Sequence, residues 1–329
     1  MTNLPIIEAA KDELTAIFKD LHQHPEIGFT EHRTAGVVAE KLKEYGVDEI
    51  HTGIAGTGVV GIIKGHEGSR RVGLRADMDA LPIDELTNLN YSSKTPGVMH
   101  ACGHDGHTTM LLGAAKHLAQ TRDFTGNAVL IFQPAEEGLG GARGMLADGL
   151  FERFPCDEIY GMHNTPNGRP GTVGICKGPA MAGASFFDIT IQGKGSHAAM
   201  PHQSRDPLVI ASDLVGSIQT ILSRNVAPLE TCVLSVTQIH SGSAYNIVPD
   251  TATLAGTIRY FKQEVFDMVD RRMRELCSGF ATAYDVEITL DNRNTFDVLI
   301  NDEKLSEAYL EAAEDIVGKE NISGTQEPA

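Results

Sequence analysis

The sequence is poor in cysteine, with five in 329 residues and no Cys-x-x-Cys pair. An odd, widely spaced set argues against a disulfide framework and fits a reducing compartment. Only Cys102 lies among other side chains that bind metals. The remaining cysteines are therefore expected to be small buried hydrophobic residues.

Positive charge and long apolar runs are also scarce. The chain carries 27 basic and 44 acidic residues, a net charge of −17. This balance argues against nucleic acid or an anionic membrane as a partner. No apolar run is long enough to cross a bilayer, and segment 1–13 lacks the basic and apolar parts of a signal peptide. We therefore expect a cytoplasmic protein of one large or two smaller domains.

The richest set of donor side chains lies in residues 99–107, Met-His-Ala-Cys-Gly-His-Asp-Gly-His. Three histidines, a cysteine and an aspartate supply the nitrogen, sulfur and oxygen donors of a transition-metal site. A helical pattern follows at 108–120. The alternative is a polar turn whose histidines cap that helix.

Three apolar runs, each typical of a buried strand, end in carboxylate or imidazole side chains. Open α/β sheets bind their ligands at the carboxyl ends of such strands. We therefore expect the three ends and the 99–107 loop to form one site. The three segments are Arg75–Asp79, Gln133–Gly138 and Gly161–Asn164.

Two acidic pairs in these segments suggest different roles. Asp77 and Asp79 face opposite ways in an extended chain, so one could hold a metal-binding group in place. Alternatively, both could cap the next turn. Glu136 and Glu137 repel each other unless a cation is near, so one could bind it while the other transfers protons. An exposed acidic turn is the less favoured alternative.

Histidines outside the loop receive different predictions. His163 ends the third run, where we favour a metal ligand over a structural role. His22 and His24 end the first predicted helix, and we expect a structural turn there because the sequence places no carboxylate cluster around them.

The order of helices and strands indicates two domains. Segments 1–182 and 295–329 are expected to form an α/β domain, and 183–294 an inserted α+β domain with an antiparallel sheet. Residues 65–69 are predicted to be a turn between two strands. In the second domain, imidazole, amide and guanidinium groups within 193–202, within 242–249 and at position 259 suit a substrate carboxylate or an oxyanion. A structural role is an equal alternative for each of these groups.

Five motifs together resemble the M20 family of metallopeptidases, in its aminoacylase and hippurate-hydrolase branch. Each motif alone is weak, but their combination and order are specific. They are Leu21–Glu26, Arg75–Pro82, His100–His107, Gln133–Glu137 and Gly161–Asn164.

The resemblance implies an α/β catalytic domain with a mixed, mostly parallel sheet, helices on both faces and an inserted lid or dimerisation domain. It implies two divalent ions per subunit, Mn²⁺ or Zn²⁺, with Co²⁺ or Ni²⁺ as alternatives, and a homodimer or higher oligomer formed through the lid. The implied metal ligands are Cys102, His104, Glu137 and His163.

The resemblance also implies the activity. Water activated by the metals would attack the amide of an N-acyl amino acid, either hippurate-like or N-acetylated. Glu136 would be the general base and Asp79 would orient a metal ligand. In the lid, His197 would stabilise the oxyanion, and Asn246 and Arg259 would hold the substrate carboxylate. Alternatives are an N-acetyl-diamino acid deacetylase, a dipeptidase or a non-catalytic scaffold.

One expectation concerns the end of the chain. In this branch the catalytic domain normally continues beyond the position of Ala329, through a Gly-Ser-Glu-Asp-type stretch and a further ligand histidine. The present sequence has no histidine after His240.

Overall fold

The computed structural model describes residues 4–166 and 168–323. The helices are α1 (Pro5–Ala9), α2 (Lys11–Gln23), α3 (His32–Tyr45), α4 (His104–Thr121), α5 (Gly141–Ala147), α6 (Leu150–Arg153), α7 (Pro207–Asn225), α8 (Gln263–Tyr284) and α9 (Glu303–Val317). The strands are β1 (Glu49–Ile54), β2 (Gly58–Lys64), β3 (His66–Asp77), β4 (Thr125–Gln133), β5 (Glu158–Gly161), β6 (Gly178–Met181), β7 (Gly183–Gln192), β8 (Ser196–His197), β9 (Cys232–Ser241), β10 (Ile247–Val248), β11 (Thr251–Tyr260), β12 (Glu287–Phe296) and β13 (Leu299–Asn301).

The chain divides into two compact units. The first contains residues up to 172 together with 315–319, and the second contains 173–314 and the residues from 320 onward. Strands β6 and β13 lie just before and just after the expected inserted domain, and they pair with each other. Both flanking segments therefore belong to the second unit. The boundaries at 182/183 and 294/295 remain a prediction.

The first unit is built on a five-stranded sheet with the order β1-β2-β4-β3-β5. Strand β2 pairs antiparallel with β1 and β4. Strand β3 pairs parallel with β4 and β5. The sheet is mixed and carries helices on both faces, which confirms the predicted α/β fold class.

Strand β4 lies at the centre of this sheet and is buried on both sides. Leu130 and Phe132 pack with α2, α3 and α4 on one face. Val129 and Ile131 pack with α5 and α6 on the other. Successive side chains of a strand point to opposite faces, so a nearly continuous apolar run is what a doubly covered strand requires.

The helices show the spacing that burial of one face requires. Helix α3 buries Val38, Leu42 and Tyr45 and ends at Gly46, which has a φ of 81°. That left-handed conformation suits glycine at a helix C-terminus. Helix α7 begins after Asp206, whose side chain accepts a hydrogen bond from the N–H of Leu208 at 3.0 Å, a typical N-cap.

The second unit contains a four-stranded antiparallel sheet with the order β12-β7-β11-β9. Helices α7 and α8 pack on one face of it and enclose a second apolar core. Strand β11 alternates buried and less buried residues along its length, as expected for a sheet covered on one face. This arrangement matches the predicted α+β organisation.

Some local predictions were wrong. Residues 66–69 belong to β3 rather than to a turn, and a register shift between His66 and Arg71 takes up the irregularity there. Strand β1 was not predicted. Within residues 4–166 and 168–323, no helix combines the length and apolar character needed to span a membrane.

The central strand should tolerate truncation poorly. Leu130 is fully buried, so Leu130→Ala should lower the free energy of unfolding by about 2–5 kcal/mol through lost burial and a residual cavity. Leu229 is 96% exposed, and Leu229→Ala serves as the control with a change of about 0.5 kcal/mol or less. Urea denaturation measures both. Equal losses for the two variants would contradict the central position of Leu130.

Candidate metal centre

The donor side chains predicted from the sequence meet at one edge of the first unit's sheet. In the parallel part of the sheet, Asp77 pairs in register with Gln133, and Arg75 with Gly161. The segments that follow these three strand ends therefore emerge side by side. Helix α4 begins with His104. The topology thus explains why distant sequence segments supply one cluster of donors.

Asp79 holds two parts of this cluster together. Its Oδ1 lies 3.2 Å from Nδ1 of His104, and its Oδ2 accepts the backbone N–H of Glu137 at 2.9 Å. Both Asp79 and His104 are almost completely buried. The contact at Nδ1 leaves Nε2 of His104 as the nitrogen available to a metal.

Within the described residues, 4–166 and 168–323, two buried atoms of the donors grouped around His104 have no hydrogen-bond partner. They are Nε2 of His104 and Oε1 of Glu137, which lie 3.8 Å apart. Buried polar atoms are nearly always paired, so an unpaired imidazole nitrogen facing an unpaired carboxylate oxygen calls for a ligand between them. A divalent cation fits this donor pair.

The other predicted donors surround the same imidazole. Sγ of Cys102 lies 3.3 Å from Nε2 of His163, and Oε2 of Glu136 lies 4.0 Å from Nε2 of His104. Three groups of donor atoms share His104: one with Cys102 and His163, one with Asp77 and His107, and one with the two glutamates, each group within 4.8 Å. The nitrogen, sulfur and oxygen donors suit Zn²⁺, Mn²⁺ or a similar ion. The structure thus brings the predicted donor residues of the first unit together at this edge of the sheet.

Electrostatics in the cluster reflect an excess of negative groups. Burial alone would lower the pKa of His104, but the hydrogen bond to Asp79 and the proximity of Cys102 and Asp77 raise it to about 11. Burial, followed by repulsion from Glu137, raises the pKa of Glu136 above its ordinary value. The buried donors therefore favour a positive charge among them.

Glu31 supports the cluster but was not recognised in the sequence. Its carboxylate is fully buried and accepts hydrogen bonds from Oγ1 of Thr57 at 2.6 Å and from the N–H of Ala135 at 2.7 Å. Burial raises the pKa of Glu31 despite these bonds. Ala135 has a φ of 50°, an unfavourable conformation for a residue other than glycine. Glu31 thus stabilises the backbone turn that presents Glu136.

His107 also contacts residues that surround the candidate site. Its Nδ1 lies 2.6 Å from Oδ1 of Asp77, and its Nε2 lies 2.6 Å from Oδ1 of Asn164 and 3.1 Å from the N of Asn164. Nε2 therefore has a partner in either protonation state. A Cβ added at Gly103 would lie 2.7 Å from the Asn164 side chain. The loop before α4 and the loop that carries His163 are consequently packed tightly together.

His22 lies in a setting that the sequence did not reveal. It belongs to α2, and its ring contacts Asp105 at 2.7 Å and Glu85 at 3.2 Å. The assumption that no carboxylate cluster surrounds it was therefore wrong, because both carboxylates come from distant segments. The hydrogen bond to Asp105 outweighs burial and, with the Glu85 contact, raises the pKa of His22.

The second unit brings together two of its three predicted site residues. His197 on β8 pairs with Ile247 on β10, and the carbonyl of Asn246 accepts the N–H of Ala198 at 2.9 Å. Both His197 and Asn246 are exposed. Arg259 lies on β11, where its guanidinium is 5.3 Å from the centre of the Phe186 ring.

Known proteins share this chain's sequence and fold. The model for peptidase family M20/M25/M40 matches residues 73–329. A hippurate hydrolase of Campylobacter jejuni is 42% identical over 328 residues, which span 100% of this chain and 85% of the relative. An N-acetyl-L-cysteine deacetylase of Bacillus subtilis is 40% identical over 308 residues, 93% of this chain and 73% of the relative.

A solved structure agrees with these relatives. The YxeP protein of Bacillus subtilis, a dinuclear metal-binding peptidase of the M20 family, superposes with a TM-score of 0.81 at 35% identity, over 98% of this chain and 84% of that one. The fold, the donor cluster and these relatives together define a metal-dependent amidohydrolase. The chain belongs to peptidase family M20.

Asp79→Asn should weaken metal binding. In one orientation the asparagine NH₂ would face the N–H of Glu137 and lose that hydrogen bond. In the other it would donate to Nδ1 of His104, which places the ring proton on Nε2, the nitrogen that would bind the metal. We expect metal affinity to fall about 10- to 100-fold. Competition with a chelator, followed through the Co²⁺–thiolate absorption, measures this change. Asp12 is exposed on α2, and Asp12→Asn should bind metal normally. Unchanged affinity in Asp79→Asn would contradict its orienting role.

Glu31→Ala should destabilise the chain. Removal of the carboxylate leaves the hydroxyl of Thr57 and the N–H of Ala135 without their buried partner, at a cost on the order of 3 kcal/mol in unfolding free energy. Glu31→Gln can accept one of these bonds and donate to the hydroxyl oxygen, so its loss should be clearly smaller. Urea denaturation distinguishes the two variants. The assignment fails if the alanine variant is as stable as the unmodified chain.

Proposed function

We propose that this chain hydrolyses the amide bond of N-acyl amino acids, with hippurate-like and N-acetyl amino acids as the substrate class. The observation that carries the proposal is the Glu136–Glu137 pair beside His104, at the strand edge where the unpaired donors meet. A carboxylate pair of this kind serves both as a metal ligand and as a proton carrier. The related hippurate hydrolase and N-acetyl-L-cysteine deacetylase support the substrate class.

We assign the metal ligands to Cys102, His104, Glu137 and His163, which would hold two divalent ions of a kind still to be determined. When bound, such ions polarise the scissile carbonyl and lower the pKa of water. Asp79 keeps the Nε2 of His104 directed at the ligand position through its contact at Nδ1.

Glu136 acts as the general base in this proposal. It is adjacent to Glu137 in the sequence, and its Oε2 lies 4.0 Å from Nε2 of His104, compared with 3.8 Å for Oε1 of Glu137. It would take a proton from the attacking water and pass that proton to the leaving amine. The turn stabilised by Glu31 fixes where its carboxylate sits.

For the second unit we propose a role in substrate binding. Arg259 and Asn246 would bind the substrate carboxylate, since a guanidinium fork and an amide match its oxygens. His197 would stabilise the oxyanion that forms at the carbonyl. We also propose that the protein is cytoplasmic and forms a homodimer through this unit. Light scattering would detect the dimer.

Two glutamine substitutions separate binding from proton transfer. Glu136→Gln should keep its metal and lose about 10²- to 10⁴-fold in kcat, because the amide cannot carry the proton. Glu137→Gln should lose metal content, because it removes a ligand. Hydrolysis of hippurate and N-acetyl-methionine with added Mn²⁺, and metal analysis of the purified chains, provide the two measurements.

The controls make the test selective. Glu152 is exposed on α6, and Glu152→Gln should behave as the unmodified chain does. A panel that adds an N-acetyl-diamino acid and a dipeptide separates the proposed substrate class from the other two activities. A folded chain that binds no metal and cleaves no member of the panel would favour a non-catalytic scaffold. Full activity in Glu136→Gln would refute the base assignment.

A further inference from the structure

A second polar cavity lies at the opposite end of the first unit's sheet from the candidate metal centre. It has a volume of about 210 Å³. Drug-sized ligands generally occupy pockets of about 300–1,000 Å³, so this cavity suits a smaller molecule or ion. Its polar lining consists of Glu49, Lys64, Arg71, Asn127 and Arg153.

The floor of this cavity is a row of side chains fixed by sheet register. Asn127 on β4 pairs with Lys64 on β2 and with Arg71 on β3. Residues directly opposite each other in neighbouring strands project to the same face. Val129 and Ile131 lie on this same face, where α5 and α6 cover them. The row of polar side chains therefore lies next to that apolar cluster.

The wall of the cavity is the segment that leaves α6. Phe154 is buried, and its ring packs 4.7 Å from the ring of His51 and 5.0 Å from the guanidinium of Arg153. The Phe154 contact positions Arg153 beside the floor residues. The cavity is thus lined by four strands, β1 to β4, and by residues 153–155 at the end of α6.

The cations of the cavity outnumber its carboxylates. Nζ of Lys64 forms an ion pair with Glu49 at 2.6 Å. Among residues 4–166 and 168–323, no carboxylate lies within 4.0 Å of the side-chain nitrogens of Arg71 or Arg153. In a chain with a net charge of −17, two guanidinium groups that face one cavity without an acidic partner form an unusual local excess of positive charge.

Two further carboxylates approach this end of the sheet but are already engaged. Oδ2 of Asp157 accepts the backbone N–H of Arg71 at 2.7 Å. Oδ2 of Asp48 accepts the backbone N–H of Lys64 and a guanidinium N–H of Arg122, both at 2.8 Å. Neither forms an ion pair with the two arginine side chains, which leaves their N–H groups available to a ligand.

We propose that this cavity binds a small oxyanion through Arg71 and Arg153, with Lys64 and the Asn127 amide as additional donors. Guanidinium groups bind phosphate and carboxylate oxygens through paired, charge-assisted hydrogen bonds. The ligand class is therefore inorganic phosphate or a small di- or tricarboxylate. Nothing in the proposed hydrolysis requires this site.

The cavity is separate from the candidate metal centre. Arg71 and Asp77 lie six residues apart on β3, which corresponds to about 20 Å along an extended strand. An anion in the cavity therefore has no direct contact with the candidate metal ligands. Binding at the two places can be distinguished by substitution.

Isothermal titration of the metal-loaded full chain tests the proposal, with phosphate and succinate as separate titrants at constant ionic strength. We expect one of these anions to bind with a stoichiometry of one per chain. Arg71→Gln and Arg153→Gln should each weaken that binding about tenfold or more, since each removes a charged donor. Preference for one titrant identifies phosphate or carboxylate as the ligand chemistry.

Matched variants show whether the anion binds in this cavity or elsewhere on the chain. Arg224 is exposed on α7, and Arg224→Gln makes the same change in charge, so it should bind the anion as the unmodified chain does. Arg153 is also exposed, so its substitution should leave the fold intact even if that of Arg71 does not. Absence of binding by both anions would overturn the proposal. Equal binding in all variants would overturn it too, since the anion would then occupy the metal centre or act through bulk charge.

Discussion

The candidate metal centre depends on the contacts of one buried carboxylate, Asp79. One of its oxygens fixes the ring of His104 through Nδ1, and the other fixes the backbone of Glu137. The two groups come from α4 and from the end of β4, so the carboxylate sets the spacing between donors of separate elements. Without it, neither the orientation of the imidazole nor the position of the glutamate would be determined by local structure alone.

The contacts of Asp79 hold buried polar groups close together, an arrangement that is unfavourable unless a ligand compensates it. An unpaired nitrogen and an unpaired oxygen face each other across 3.8 Å, and Glu136 lies beside them with a raised pKa. Removing such groups from water costs several kcal/mol unless a charge of the opposite sign compensates. The buried donors therefore favour the binding of a cation. Groups with shifted pKa values of this kind are common at functional sites.

The sequence was sufficient for the parts of the structure that depend on short-range pattern. Strand β4 follows directly from its nearly continuous apolar run. The donor residues were located because they follow apolar strands or, at 99–107, because they are concentrated in one short segment. The supporting contacts could not be found this way. Glu31 reaches Ala135 across 104 positions, and His107 reaches Asn164 across 57. Such pairs are determined by the packing of whole elements, which periodicity in one segment does not encode.

The same limit explains the errors at 65–69 and at His22. Glycine and polar residues at 65–69 favour a turn locally, but 66–69 belong to β3, which begins where His66 pairs with Thr125 of β4 ahead of the register shift. Asp20 and Glu26 lie near His22 in the sequence, but the carboxylates that contact its ring are those of Glu85 and Asp105, which tertiary packing brings from distant segments. Local signals therefore located the donor groups, whereas the contacts that fix their orientation had to come from the fold. Catalytic geometry belongs to the second category, because a base or ligand displaced by even an ångström loses much of its effect.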